Sequence, residues 1–89
     1  MAKARTESGF EWDVDEEKLA KHKALRLTTR AQKGDGVAME ELLEYILGEE
    51  GTDALDEYCG RLSEDGEADT ETVMAEFSQL IQSVSAGKN

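Results

Sequence analysis

The densest apolar region of this chain runs from Asp35 to Leu62 and reads DGVAMEELLEYILGEEGTDALDEYCGRL. Its apolar residues recur every three or four positions, which is the spacing that lines one face of an α-helix. Gly48 interrupts the pattern, and glycine commonly ends a helix by adopting a left-handed backbone. We therefore predict two short helices broken at Gly48, with Asp35 capping the first and Thr52 capping the second. The predicted apolar faces consist of Val37, Met39, Leu42, Leu43, Ile46 and Leu47, then Leu55, Tyr58 and Leu62.

Further helices are predicted on both sides of this region. A helix from about residue 15 to Lys33 would begin at a capping box of Asp13 and Glu16 and would end at Gly34. Its narrow apolar face consists of Ala20, Ala24, Leu27 and Ala31, with Leu19 and Leu25 flanking. From about Thr70 the chain has its most regular amphipathic pattern, which predicts a last helix. The apolar residues of that helix are Val73, Met74, Phe77, Leu80, Ile81 and Val84.

The residues before the first helix suggest an extended arm. Phe10, Trp12 and Val14 alternate with two acidic residues, which is the period of a β-strand. One strand cannot satisfy its own backbone, so the arm must lie across the helices, pair with another copy or bind another molecule. Residues 1–9 are small, polar and basic, and we expect a disordered tail there.

These elements predict an all-α fold, a small bundle of about four short helices with an extended aromatic N-terminal arm. The helical domain is expected to span residues 10–84, and residues 85–89 to form a frayed tail. A narrow first helix, a wide last helix and an unpaired arm also favour self-association, so we expect a homo-oligomer.

Charge is divided unevenly along the 89 residues. Residues 1–33 hold 8 basic and 6 acidic side chains, whereas residues 34–89 hold 2 basic and 15 acidic ones. The acidic part would be repelled by a phosphate backbone, so we do not expect nucleic-acid binding. A chain of this length buries only ~60–65% of its unfolded surface, so we expect low stability.

Catalytic and metal-binding patterns are hard to place in this sequence. His22, the single histidine, lies among lysines, and Cys59, the single cysteine, has no orienting group that would make the two a catalytic pair. Asp13, Asp15 and Glu17 match the first carboxylates of a calcium-binding loop, but the required glycine and last glutamate are replaced. We therefore expect no enzyme, no metal site and no cofactor.

No segment is long and apolar enough to cross a bilayer, and the N-terminal residues lack the apolar run of a signal peptide. One unpaired cysteine suits a reducing compartment. We therefore expect no membrane association and a cytoplasmic location.

Four short motifs carry a resemblance to a known family. They are Phe10-Glu11-Trp12-Asp13, the Gly34-Asp35 turn, the run from Leu42 to Glu50 that ends in Gly-Glu-Glu, and the Glu64-Asp65-Gly66 turn before a helix containing Glu76-Phe77. With them the chain, over roughly residues 10–84, resembles the tail assembly chaperones of long-tailed phages (siphophages) that infect Gram-positive hosts.

This resemblance implies a chaperone that binds the tape measure protein and keeps it soluble until tail tube subunits polymerise around it. It places the protein in the cytoplasm of the infected host and outside the mature virion. The family commonly makes a longer product by programmed frameshifting, which can contact the tail tube protein. Lys88-Asn89 could be encoded by AAA-AAC, on which ribosomes can slip.

The predicted partner-binding residues lie on the aromatic arm and on the first central helix. They are Phe10, Trp12, Val14, Met39, Leu43 and Leu47. Core and client-facing residues require the same spacing, so the pattern does not separate them. Two other functions stay open, namely an acidic inhibitor that imitates DNA and blocks a host protein, and a structural protein that joins head to tail.

Overall fold

The structure is a computed structural model that describes the backbone of residues 1–86 and the side chains of residues 1–84. It is mostly helical, with four helices and a two-stranded antiparallel sheet among the described residues. The elements are β1 (Ala2–Arg5), β2 (Glu11–Val14), α1 (Glu16–Leu19), α2 (His22–Gln32), α3 (Gly36–Leu62) and α4 (Thr70–Ala86). The prediction of a mostly helical fold is confirmed. The structure also contains a small sheet, of which only one strand was predicted.

Residues 1–9, which the sequence predicted to be a disordered tail, contain a strand that pairs within the fold. β1 pairs antiparallel with β2, from Ala2 opposite Val14 to Arg5 opposite Glu11. Ala4 is fully buried, because the sheet places alternate residues of β1 on the core side and its basic residues on the other side. The strand predicted in the aromatic arm is confirmed, and its partner is the segment that was expected to be mobile.

The predicted first helix is two helices. Lys21 has an extended backbone that separates the four residues of α1 from α2. The predicted capping box was also wrong, because the carboxylate of Asp15, not Asp13, accepts the capping hydrogen bond from the backbone N–H of Glu17 at 3.0 Å. Asp13 is still part of β2 and lies opposite Lys3.

The break in the central helical region is where the sequence placed it. α3 consists of two helical segments that meet at a non-helical residue, Gly48, with φ 80° and ψ 168°. Asp35 caps α3 as predicted, and its carboxylate accepts from the backbone N–H groups of Val37 and Ala38 at 3.1 Å each. Thr52 is not a cap, since its hydroxyl donates back to the carbonyl of Gly48 at 2.9 Å from within the second segment.

The core lies where the hairpin, α2, α3 and α4 meet. Its largest fully buried side chains are Leu43, Leu55, Leu80, Val14 and Cys59. α4 begins at Thr70 as predicted, and Phe77, Leu80 and Val84 are the buried apolar residues of its described part. Two residues assigned to the apolar face of the central helices are exposed instead: Val37 by 69% and Leu62 by 53%. Both lie at the ends of α3, as the first-turn and last residues of that helix.

The expected frayed tail is described only in part. Residues 85 and 86 continue α4, and residues 87–89, including the Lys88-Asn89 pair of the frameshift prediction, lie outside the described residues.

Candidate interaction site

Trp12 joins the hairpin to the break in α3. Its indole N–H donates to the backbone carbonyl of Leu47 at 3.1 Å. The ring lies against Gly51, where an added Cβ would be 2.5 Å from the indole nitrogen and 2.7 Å from the Cβ of Leu47. No side chain larger than hydrogen fits at residue 51 without moving Trp12, so the glycine sets the position of the indole.

Trp12 belongs to an aromatic cluster that also contains Phe10 and Tyr58, on the core side of the hairpin. The Phe10 and Trp12 rings are parallel with centroids 6.4 Å apart, and the Tyr58 ring lies 5.2 Å from Phe10. The Tyr58 hydroxyl donates to the backbone carbonyl of Ser8 at 2.9 Å. Aromatic side chains bury a large apolar area, so this cluster helps to hold the hairpin on the helices.

The hairpin turn is also tied to α4 by a buried acid. Glu76 is only 4% exposed, and its carboxylate accepts a hydrogen bond from the hydroxyl of Ser8. Burying a carboxylate costs free energy unless a hydrogen-bond donor satisfies it. The hydroxyl of Ser8 is such a donor for Glu76. Glu76 and Ser8 therefore hold the turn of the hairpin against α4.

The six predicted partner-binding residues separate into two groups. Phe10, Val14, Leu43 and Leu47 are at most 7% exposed and belong to the core. Trp12 and Met39 are half-buried, so of the six only these two keep substantial exposed surface. The six are not one patch: Trp12 and Leu47 line one groove, and Met39 and Leu43 line another.

We call the first of these the Trp12 groove. It is an open depression of about 820 Å³ between the hairpin, α1 and the break in α3. Its lining consists of Met1, Lys3, Glu11, Trp12, Asp13, Asp15, Lys18, Ile46, Leu47, Gly48, Glu49 and Glu50. Five carboxylates face two lysines there, so the groove attracts cations.

We call the second the Met39 groove. It has a volume of about 200 Å³ and lies between the two segments of α3 and the start of α4. Its apolar floor comes from Met39, Leu43, Ala68 and Val73, and its polar rim from Glu40, Thr52, Asp53, Asp56 and Thr70. A small apolar floor with an acidic rim suits one or two apolar side chains of an amphipathic helix that also carries basic residues.

A basic surface lies on α1 and α2. Residues 18–34 contain six basic and no acidic side chains, in contrast to the acidic α3 and α4. Two of the six are engaged, because the Lys18 and Lys23 ammonium groups lie 5.2 and 4.8 Å from the centre of the Tyr45 ring. Leu25 is 60% exposed on this surface.

The groups that carry most catalytic chemistry are not assembled in the described residues. Cys59 is buried, and its burial, with the nearby carboxylates of Glu76 and Asp56, raises the pKa of its thiol to about 11. His22 is exposed at the start of α2. Within residues 1–86 no three His, Cys, Asp or Glu side chains converge as a metal site would require, and no helix could span a membrane.

Four residues of these sites were missed from the sequence: Gly51, Tyr58 as a partner of the hairpin, Ser8 and Glu76. Gly51 offered a signal, because an isolated glycine inside a helical pattern often marks a close approach by another group. The other three depend on contacts between residues 50 or more positions apart, which no local pattern contains.

Comparison with protein-family models, curated proteins and solved structures finds no match.

Proposed function

We propose that this protein is a non-enzymatic assembly chaperone of a long-tailed phage, which binds the tape measure protein and keeps it soluble during tail assembly. The observation that carries the proposal is the Met39 groove, with its apolar floor and acidic rim. The motif resemblance to tail assembly chaperones supplies the identity of the client. The groove supplies a physical means of binding it.

A tape measure protein is a very long helical chain with apolar stripes. One or two apolar side chains of such a stripe can lie on the floor made by Met39 and Val73, and the rim carboxylates can pair with basic residues that flank the stripe. The floor is small, so each contact is weak. Many copies along a long client would be needed to cover it, which agrees with the proposal that the protein acts as a homo-oligomer.

The acidic surface gives the second half of the mechanism. Residues 36–86 carry 14 acidic and one basic side chain, and nearly all of these are exposed. Covering the client's apolar surface with an acidic module gives the complex a large net negative charge, and repulsion between complexes opposes aggregation.

The proposal also includes a cytoplasmic location in the infected host, absence from the mature virion and a longer frameshifted product. Co-expression tests the chaperone activity: with this chain present, a long helical protein encoded beside it should move from the insoluble to the soluble fraction. Equal insolubility with and without the chain would overturn the proposal. Detection of the chain in purified virions would instead favour a head-to-tail joining protein.

A further inference from the structure

The two-stranded sheet has one edge that the protein itself covers. The backbone N–H of Arg5 donates to the hydroxyl of Ser83 at 3.1 Å, and that of Glu7 donates to the side-chain carbonyl of Gln79 at 2.8 Å. Side chains of α4 thus occupy the outward-facing donors of Arg5 in β1 and of Glu7 in the turn that follows it. This part of the edge is closed to another strand.

The other edge belongs to β2, and it is open. The backbone N–H of Thr6 donates to the carbonyl of Phe10 at 2.9 Å, so these two residues form a hydrogen-bonded pair. Bonded and non-bonded pairs alternate along an antiparallel ladder, so Trp12 bonds to β1 while Glu11 and Asp13 direct their N–H and C=O groups away from it. Within the described residues the sheet has no third strand to receive them.

This open edge borders the Trp12 groove. Glu11, Trp12 and Asp13 line the groove, and the break at Gly48 forms part of its opposite wall. A chain lying along the edge would have its side chains alternately on the two faces of the sheet. On one face they would lie beside the carboxylates of Glu11 and Asp13, and on the other beside Trp12.

We propose that the open edge of β2 docks an extended, basic segment of another protein, which adds to the sheet as a third strand. Pairing along Glu11–Val14 accommodates about four residues of such a segment, and backbone hydrogen bonds to Glu11 and Asp13 hold it. Lysine or arginine at alternate positions is selected, because opposite charges on neighbouring strands attract. Asp13 contributes most to this selection, since the carboxylate of Glu11 already pairs with the Arg5 guanidinium of β1 at 3.1 Å. The five carboxylates of the groove extend this selection beyond the strand.

A second copy of the chain fits this edge poorly. Two β2 strands paired antiparallel about Trp12 would place Glu11 of each copy opposite Asp13 of the other. Like charges directly opposite each other destabilise a sheet. The charge of the edge therefore selects a basic segment over the edge of another copy.

Synthetic peptides test this inference without reference to the proposed client. The probe is a capped six-residue peptide of alternating lysine and threonine, and the readout is the fluorescence of Trp12, the only tryptophan in the chain. We expect a saturable change with this peptide. We expect none with an alternating glutamate and threonine peptide, and none with the lysine peptide after N-methylation of the amides on either edge. Binding of the N-methylated and unmodified peptides with equal affinity would overturn the inference, because N-methylation removes backbone donors and leaves the charge.

Two substitutions at residue 13 separate the contribution of the backbone hydrogen bond from that of the carboxylate charge. Asp13→Pro removes the outward N–H and the carboxylate, whereas Asp13→Asn removes only the charge. The ladder with β1 does not use this N–H, so both variants are expected to fold, which circular dichroism verifies. The proline variant should bind the lysine peptide about tenfold more weakly than the asparagine variant. Equal affinities of the two variants would overturn the inference. If the proline variant does not fold, the N-methylated peptides test whether backbone hydrogen bonds hold the segment.

Discussion

The indole N–H of Trp12 donates to the backbone carbonyl of Leu47 across 35 positions of sequence, at a distance of 3.1 Å. This bond joins β2 to the residue just before the break in α3. The absence of a side chain at Gly51 leaves room for the indole. The hairpin therefore lies against the helices at a defined place, and the Trp12 groove forms beside the contact.

Gly51→Ala should destabilise the fold, although alanine normally stabilises a helix interior by about 1 kcal/mol over glycine. The added Cβ would lie 2.5 Å from the Trp12 nitrogen and would force the indole to move. We expect a net loss of about 1–3 kcal/mol in the free energy of unfolding, measured by urea denaturation.

Gly36→Ala is the matched control for that substitution. Gly36 begins α3, and an added Cβ there meets no atom within 4 Å. This variant should be neutral or slightly stabilised. If the two alanine variants were equally stable, the close approach of Trp12 to Gly51 would be wrong.

Asp15→Ala should cost about 1 kcal/mol of stability, because it removes the carboxylate that caps α1. Asp13→Ala removes the aspartate that the sequence pattern favoured as a cap, but that residue lies in β2, so a change below about 0.5 kcal/mol is expected. Thermal or urea unfolding of both variants measures the difference. A larger loss at residue 13 than at residue 15 would contradict the observed start of α1.

Cys59 should react slowly with iodoacetamide at neutral pH in the native protein. Its thiol is buried, and a pKa of about 11 in place of 9.0 lowers the thiolate fraction roughly 100-fold. Adding denaturant should restore the ordinary rate, and mass spectrometry follows the modification. Equal rates in the native and denatured protein would show that the side chain is accessible.

The same thiol should make stability depend on alkaline pH. The folded protein holds the Cys59 proton more tightly than the unfolded chain, so the stabilisation is complete below pH 9 and is lost as the pH rises toward 11. Urea unfolding at a series of pH values should show a steeper decline for the wild type than for Cys59→Ala. Parallel curves for the two proteins would contradict the raised pKa.

Periodicity predicted the parts of the fold in which an apolar face repeats over several turns. α4, the break at Gly48 and the cap at Asp35 were all expected, since each depends on residues close together in sequence. β1 was missed because only Ala2 and Ala4 mark its inner face, and alanine between basic residues resembles a mobile tail. The division between α1 and α2 was missed because the apolar spacing continues through the extended residue Lys21.

The candidate site was harder to predict than the fold. Leu43 and Met39 occupy the same predicted face, yet Leu43 is 1% exposed and Met39 is half-buried. Their difference depends on where α4 and the loop before it pack, which the local pattern does not contain. Leu25 on α2 shows the same limit, because it is apolar and yet 60% exposed.

The proposed function depends on the Met39 groove binding an apolar helical client, and two matched variants allow that binding to be measured through the client's solubility. Met39→Glu places a charge on the floor of the groove, and Gln32→Glu adds the same charge on α2, outside the groove. After the folding of each variant is verified, each is co-expressed with the proposed client, a long helical protein encoded beside it, and the soluble fraction of that client is measured. We expect Gln32→Glu to keep the client as soluble as the wild type does, and Met39→Glu to leave most of it insoluble; equal solubility with the two variants would show that the groove does not bind the client.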